Sequence, residues 1–265
     1  DYAVTGVQTC ALPISGELLS RWLQFSLFTP LLRNHAALGT REQEPYQFGE
    51  SFTAINRDLI RIRYRLLPFL YSEFLRAYHE DLPLFSALIG HFSDSRCREI
   101  EDQIMLGDSI MLVPVVEPNR SGRHVYLPEP MTLITLGAYA NRAKDYPKGD
   151  VYIPYPLEGL QFFIRSGYTL PVVKTSGNTA NLKLDEVTWL GSMTLSKQMG
   201  HGSLAYSWYD DDGSTRNAIK LPAQIRLYSI SDADSGPILV QTNEDLGLGS
   251  WHPNEGTNHI VSEIV

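Results

Sequence analysis

Cysteine is scarce in this chain of 265 residues, which holds only Cys10 and Cys97. Charge is missing altogether from Tyr2 to Gly16. That stretch, in which "VTGVQTCALPI" runs from Val4 to Ile14, has no helical or strand period and no capping pattern. A signal peptide needs a charged n-region and a long apolar h-region, and both are absent. Residues 4–14 instead resemble one reading frame of a common sequencing-library adapter, which predicts a non-biological leader over residues 1–15 and a protein that starts near Gly16. Cys97 is then left without an intrachain partner, so its thiol is predicted to be a packing group rather than half of a disulfide. Any true targeting segment would lie upstream, and the compartment is not legible.

Basic charge is also in short supply, with 22 Lys and Arg against 30 Asp and Glu for a net charge of −8. An acidic balance argues against nucleic acid and anionic membrane surfaces, since both require clustered Lys and Arg. No apolar run approaches the roughly 20 residues of a membrane-spanning helix. Internal repeats and low-complexity tracts are missing too. His79, His91, His124, His201, His252 and His259 show no ligand spacing, so neither a metal site nor a cofactor is predicted.

What is present falls into two regimes. A hydrophobic share of 43% and a charged share of 20% suit a chain with a sizeable core. From Glu17 to Glu80 the apolar residues recur at helical spacing. "ELLSRWLQFSLF" places Leu18, Trp22, Phe25 and Leu27 or Phe28 near one face. The longer segment "TAINRDLIRIRYRLLPFLYSEFLRAYHE" places Ile55, Leu59, Ile62, Leu66, Leu70, Phe74 and Ala77 at steps of three or four. Two helices are predicted, the second kinked at Pro68, which cannot donate to the carbonyl of Tyr64. Between them "FTPLLRNH" reads as a buried strand with a polar end. After about Asp81 the period becomes two, in runs such as "SIMLVPVV", "HVYLP", "MTLITL" and "QFFIRS" separated by Gly, Pro, Asp and Asn turns. That pattern predicts antiparallel sandwiches. Helix followed by many strands suggests the tail of an α/β domain with β domains appended.

A strand that ends in Arg33, Asn34 and His35 and runs into a polar loop with Glu42, Glu44 and a turn at Pro45 is how side chains reach the carboxyl end of a barrel strand. Taken alone, His35 reads more readily as a hydrogen-bonded structural histidine. The run Arg61, Arg63, Arg65 is not a basic patch, because residues two apart on a helix diverge; one of the three is expected to pair with barrel carboxylates. "YDDDGST", with Asp210, Asp211 and Asp212, reads as turn chemistry rather than a calcium loop, which needs alternating ligands. Tyr206, Trp208 and Tyr209 offer either a flat binding platform or core packing, and strand alternation favours the core.

Five ordered blocks carry a family resemblance: "ELLSRWLQFSLFTPLLRNH…QEP", "INRDLIRIRYRLLPFLYSEFLRAYHEDLPLF", "DQIMLGDSIMLVPVVEPNRSGRHVYLPE", "LQFFIRSGYTLPVV" and "YSWYDDDGST". Together they resemble the C-terminal portion of a family 31 glycoside hydrolase of the α-glucosidase type. The resemblance implies the last repeats of a (β/α)₈ TIM barrel over residues 16–80, a proximal β-sandwich over 81–174 and a distal one over 175–265. It implies a retaining mechanism, in which an aspartate nucleophile and an aspartic acid/base roughly 5–5.5 Å apart flank the scissile bond. Both would lie upstream of Glu17, and no aspartate occurs between Gly16 and Asp58. The position matched by His35 contacts sugar ring hydroxyls in this family, and Arg33 and Asn34 would hold it in place. The implied partner is an α-glucoside or oligosaccharide. A non-catalytic carbohydrate-binding or scaffold module is the alternative, and upstream aspartates on two barrel strands would decide between them.

Overall fold

The computed structural model describes residues 15–35, 38–39, 42–182, 187–192, 201–209, 223–232 and 236–244. Helix α1, Gly16–Ser26, starts at Ser15, whose hydroxyl accepts from the Leu18 amide at 3.1 Å, and Glu17 in the first turn complements the helix dipole. Its buried apolar face is Leu19 and Leu23, continued by Leu27 and Phe28. Leu18 and Trp22, expected on that face, are 45% and 58% exposed. The reason is polar. Gln24 and Arg21 on the packed side donate to a rim of carbonyls: Gln24 to Pro156, Leu157 and Gly159, Arg21 to Arg120 and Tyr155. Apolar periodicity does not register such donors.

Helix α2, Glu50–Glu80, follows Gly49 at φ +91 and closes on the left-handed Asp81. It runs as one helix through the buried Pro68. Leu59, Ile62, Leu66, Phe69, Leu70 and Leu75 are buried. Phe74, expected in the same stripe, is 48% exposed because its neighbour Glu73 occupies the inward position.

The strands are β1 Phe85–Ala87, β2 Ile104–Leu106, β3 Ile110–Leu112, β4 Gly122–Leu127, β5 Met131–Leu136, β6 Asn141–Tyr146, β7 Gly149–Pro154, β8 Leu160–Arg165, β9 Thr169–Val173, β10 Val187–Gly191, β11 His201–Trp208, β12 Ala223–Asp232 and β13 Gly236–Glu244. Six form an antiparallel sheet in the order β1-β2-β3-β8-β5-β6. Period two sorts its side chains into two cores. Ile110, Leu112, Ile134, Leu136, Leu160, Phe162 and Ile164 join α1 and α2, where Phe28 meets Phe162 edge-on at 5.6 Å. Met105, Met111, Met131, Leu133 and Phe163 face the other way, against the β4–β7 ribbon and Cys97. The free Cys97 is buried there as a packing group, and burial pushes its thiol pKa up.

β9 pairs with β10 and so bridges residue 175, while β11, β12 and β13 form a separate three-stranded sheet. Trp189, Tyr206 and Trp208 pack edge-on with one another, and Tyr209 is buried beside them. These aromatics are core, not a platform. The Asp210–Asp212 turn, His252 and His259 lie outside the described residues.

One predicted strand is not found. Residues 27–30 form turns and bends, residues 31–35 have no regular structure, and Leu31 is 74% exposed. A parallel barrel strand takes its backbone hydrogen bonds from neighbouring strands. No barrel strand flanks this segment among the described residues, so its carbonyls find another donor. Arg63 Nη1 donates to Leu27 O at 2.7 Å and to Thr29 O, and Nη2 to Pro30 O at 3.1 Å.

Candidate functional site

The segment that carries Arg33, Asn34 and His35 is held from both ends. On the N-terminal side Arg63 gathers the three carbonyls just described, and the Thr29 hydroxyl donates within the turn to the Ser26 or Leu31 carbonyl, each 2.8 Å away. On the C-terminal side the Asn34 amide donates to the Gln43 carbonyl, which ties residue 34 to the loop. That loop is anchored in turn. Fully buried Asn56 donates to Pro45 O at 2.9 Å and accepts from Ser20 Oγ at 2.8 Å, linking α1, α2 and the loop. Gln47 donates to Glu42 Oε2 at 2.6 Å, so that carboxylate is already engaged, and Glu44 is exposed.

Arg33, Asn34 and His35 are all exposed. Arg33 Nη2 lies 3.1 Å from His35 Nδ1. A guanidinium only donates, so in this contact Nδ1 is the acceptor and Nε2 is the ring nitrogen left to donate. The pair therefore offers an N–H and a positive charge, a combination that binds hydroxyl or anionic oxygen and supplies no nucleophile.

Of the three arginines at 61, 63 and 65, one pairs with a carboxylate of residues 16–80, the expected barrel end. Arg61 joins Asp58 of its own helix at 2.9 Å. Arg65 is buried and donates to the carbonyls of Val173 and Gly137 and to Asn141 Oδ1, fastening α2 to the β region. Arg63 and Asn56 are positioning residues that periodicity did not single out. Their only signal is a polar side chain on the inward side of a helix.

Residues 1–73 match the model for the glycosyl hydrolases family 31 TIM-barrel domain, and residues 81–170 match the glycosyl hydrolase family 31 C-terminal domain. The chain belongs to glycosyl hydrolase family 31. The first match begins at residue 1 and so includes the stretch that reads as an adapter. Relatives in the family include alpha-glucosidase 2 of Bacillus thermoamyloliquefaciens, 30% identical over 94% of this chain and 30% of the relative. Neutral alpha-glucosidase C of Mus musculus is 33% identical over 80% of this chain and 24% of its own length. The chain thus spans less than a third of these relatives. Among solved structures, a Flavobacterium johnsoniae family 31 dextranase complexed with glucose shares 26% identity and a TM-score of 0.70 over 85% of this chain and 27% of that one. A glucosidase II alpha subunit at 24% identity and a TM-score of 0.67 shows the same fold, over 87% of this chain and 24% of that one. The two helices thus belong to the end of a family 31 barrel domain, and most of the sheet to the C-terminal domain.

Proposed function

We propose that this chain is the C-terminal portion of a retaining glycoside hydrolase that cleaves α-glucosidic bonds. His35 would donate from Nε2 to a ring hydroxyl of the substrate sugar. Arg33 would fix the tautomer, and Asn34 the position of the loop. The observation that carries this reading is the Arg33–His35 contact, which leaves an exposed N–H donor in the part of the chain matched to the barrel domain. The α-glucosidase names of the relatives support the substrate class.

Cleavage further requires a nucleophile and a proton donor placed within a fraction of an ångström of the reacting atoms. In this reading two aspartates upstream of Glu17 supply both, and His35 orients the sugar between them. The proposed division is a leader over 1–15, barrel end over 16–80, proximal β domain over 81–174 and distal β domain over 175–265. The proposed partner is an α-glucoside or oligosaccharide, with no nucleic acid or membrane involved.

An aryl α-glucoside assay tests the reading. The chain as given is expected to show no turnover above the uncatalysed rate. In an enzyme with the upstream aspartates, His35→Ala should lower kcat/KM roughly tenfold to a hundredfold, the worth of one or two hydrogen bonds. Turnover by this chain alone, abolished by His35→Ala, would overturn it.

A further inference from the structure

Arg63 is a charge kept at a cost. It is half-buried on α2, and burial pushes its guanidinium pKa down with no carboxylate among the described residues to oppose the fall. Arg61 and Arg76 of the same helix each have one, in Asp58 at 2.9 Å and Glu73 at 3.1 Å. A cation taken from water without an anion is destabilising unless hydrogen bonds offset the loss.

The offset comes from one turn of main chain. Nη1 donates to Leu27 O at 2.7 Å and to Thr29 O, and Nη2 donates to Pro30 O at 3.1 Å. Charged donors make hydrogen bonds roughly twice as strong as neutral ones. Three acceptors spread from residue 27 to residue 30 need donors at fixed angles. A planar guanidinium supplies that fork, and a lysine ammonium on a flexible stem does not.

The chain beyond the turn has little freedom left. Leu32 packs against the core, and the Asn34 amide donates to Gln43 O. Residues 30, 32 and 34 are thus tied down in alternation, and Arg33 and His35, both exposed, occupy the positions beside Asn34. We propose that Arg63 is a positioning residue for the Arg33–His35 pair: its guanidinium fixes the main chain at residues 27–30 and so the place at which His35 is held. What this does for a sugar rests on the reading of His35 as a substrate contact; the geometry does not.

NMR of the full chain tests the geometry. In the unaltered chain the two Nη groups of Arg63 should give separate, slowly exchanging signals, because rotation of the guanidinium would break all three hydrogen bonds. Arg63→Lys and Arg63→Met should each shift the ring ¹⁵N signals of His35 while circular dichroism stays unchanged. An averaged Nη signal, or His35 signals that stay put in both variants, overturns the proposal. Should neither variant fold, the Nη signals decide. An enzyme with the upstream aspartates tests the consequence. There Arg63→Lys should lower kcat/KM about tenfold, a part of the roughly hundredfold that a misplacement of about 1 Å costs. In a His35→Ala background it should add less than about threefold, since the two act through one contact. An undiminished loss in that background overturns the proposal. If His35→Ala itself leaves kcat/KM unchanged, the sugar-contact reading falls, and the NMR signals still decide the positioning.

Discussion

Asp94 shows how single side chains tie this molecule together. Its carboxylate accepts from the Tyr126 hydroxyl at 2.5 Å, Lys148 Nζ at 3.0 Å and the Arg96 amide at 3.2 Å. Those hydrogen bonds, Tyr126 first, hold its pKa down at about 2 against an ordinary 3.8. A carboxyl depressed in the folded state stabilises fully above its unfolded pKa, and that contribution is lost as pH falls through the folded value. The stabilisation is therefore whole above about pH 4 and drains away between there and about pH 2. Melting curves should show Asp94→Asn less stable than the parent at pH 5, with the gap closing by pH 2; a gap that does not change with pH rules this out. Gln24 makes the same point with a neutral group. Its amide reaches the carbonyls of Pro156, Leu157 and Gly159 at 2.9, 3.1 and 3.0 Å. Gln24→Leu should cost roughly 2 kcal/mol in urea unfolding with an unchanged m-value, because three partly buried carbonyls lose their shared donor.

Strand β8 is the element on which the packing converges. It sits between β3 and β5, and its alternation sends Phe162 to the helices and Phe163 to the ribbon. Both rings are fully buried. Phe162→Ala should cost about 3–5 kcal/mol, from lost transfer energy plus the cavity left against Phe28. Val116→Ala, at a position 71% exposed, should stay within about 0.5 kcal/mol. Equal costs at the two sites in denaturant unfolding would mean that β8 does not carry the core. The helices contribute through polar pins as well as apolar faces, with Arg65 of α2 joining β9 and the turn after β5.

At the scale of the molecule, several large apolar side chains that the core does not use lie on the helical part among the described residues. Leu18 and Trp22 of α1, Leu31 after it, and Phe74 and Tyr78 of α2 are all exposed. Such exposed apolar side chains favour self-association. Trp22→Lys with Phe74→Lys should lower light scattering of the concentrated chain and leave its melting temperature nearly unchanged. A drop in melting temperature would place these side chains in the fold's own core. The chain spans 30% of the length of the Bacillus relative.

Periodicity and motif were enough for the two helices, the change to strands near residue 81, the core role of Cys97 and the family. Each of these is local, set by spacing within a few residues or by side-chain order along the chain. Three things were not legible. "FTPLLRNH" has a strand's composition but lacks paired neighbours, so Arg63 and Asn56 shape it instead. The buried face of α1 is chosen by carbonyls of residues 156–159, more than a hundred positions away in sequence. Glu73 meets the turn between β2 and β3 because Gly107 lets that turn close on α2. Hydrogen-bond partners distant in sequence leave no period behind, and where polar groups do the packing only the tertiary structure could decide.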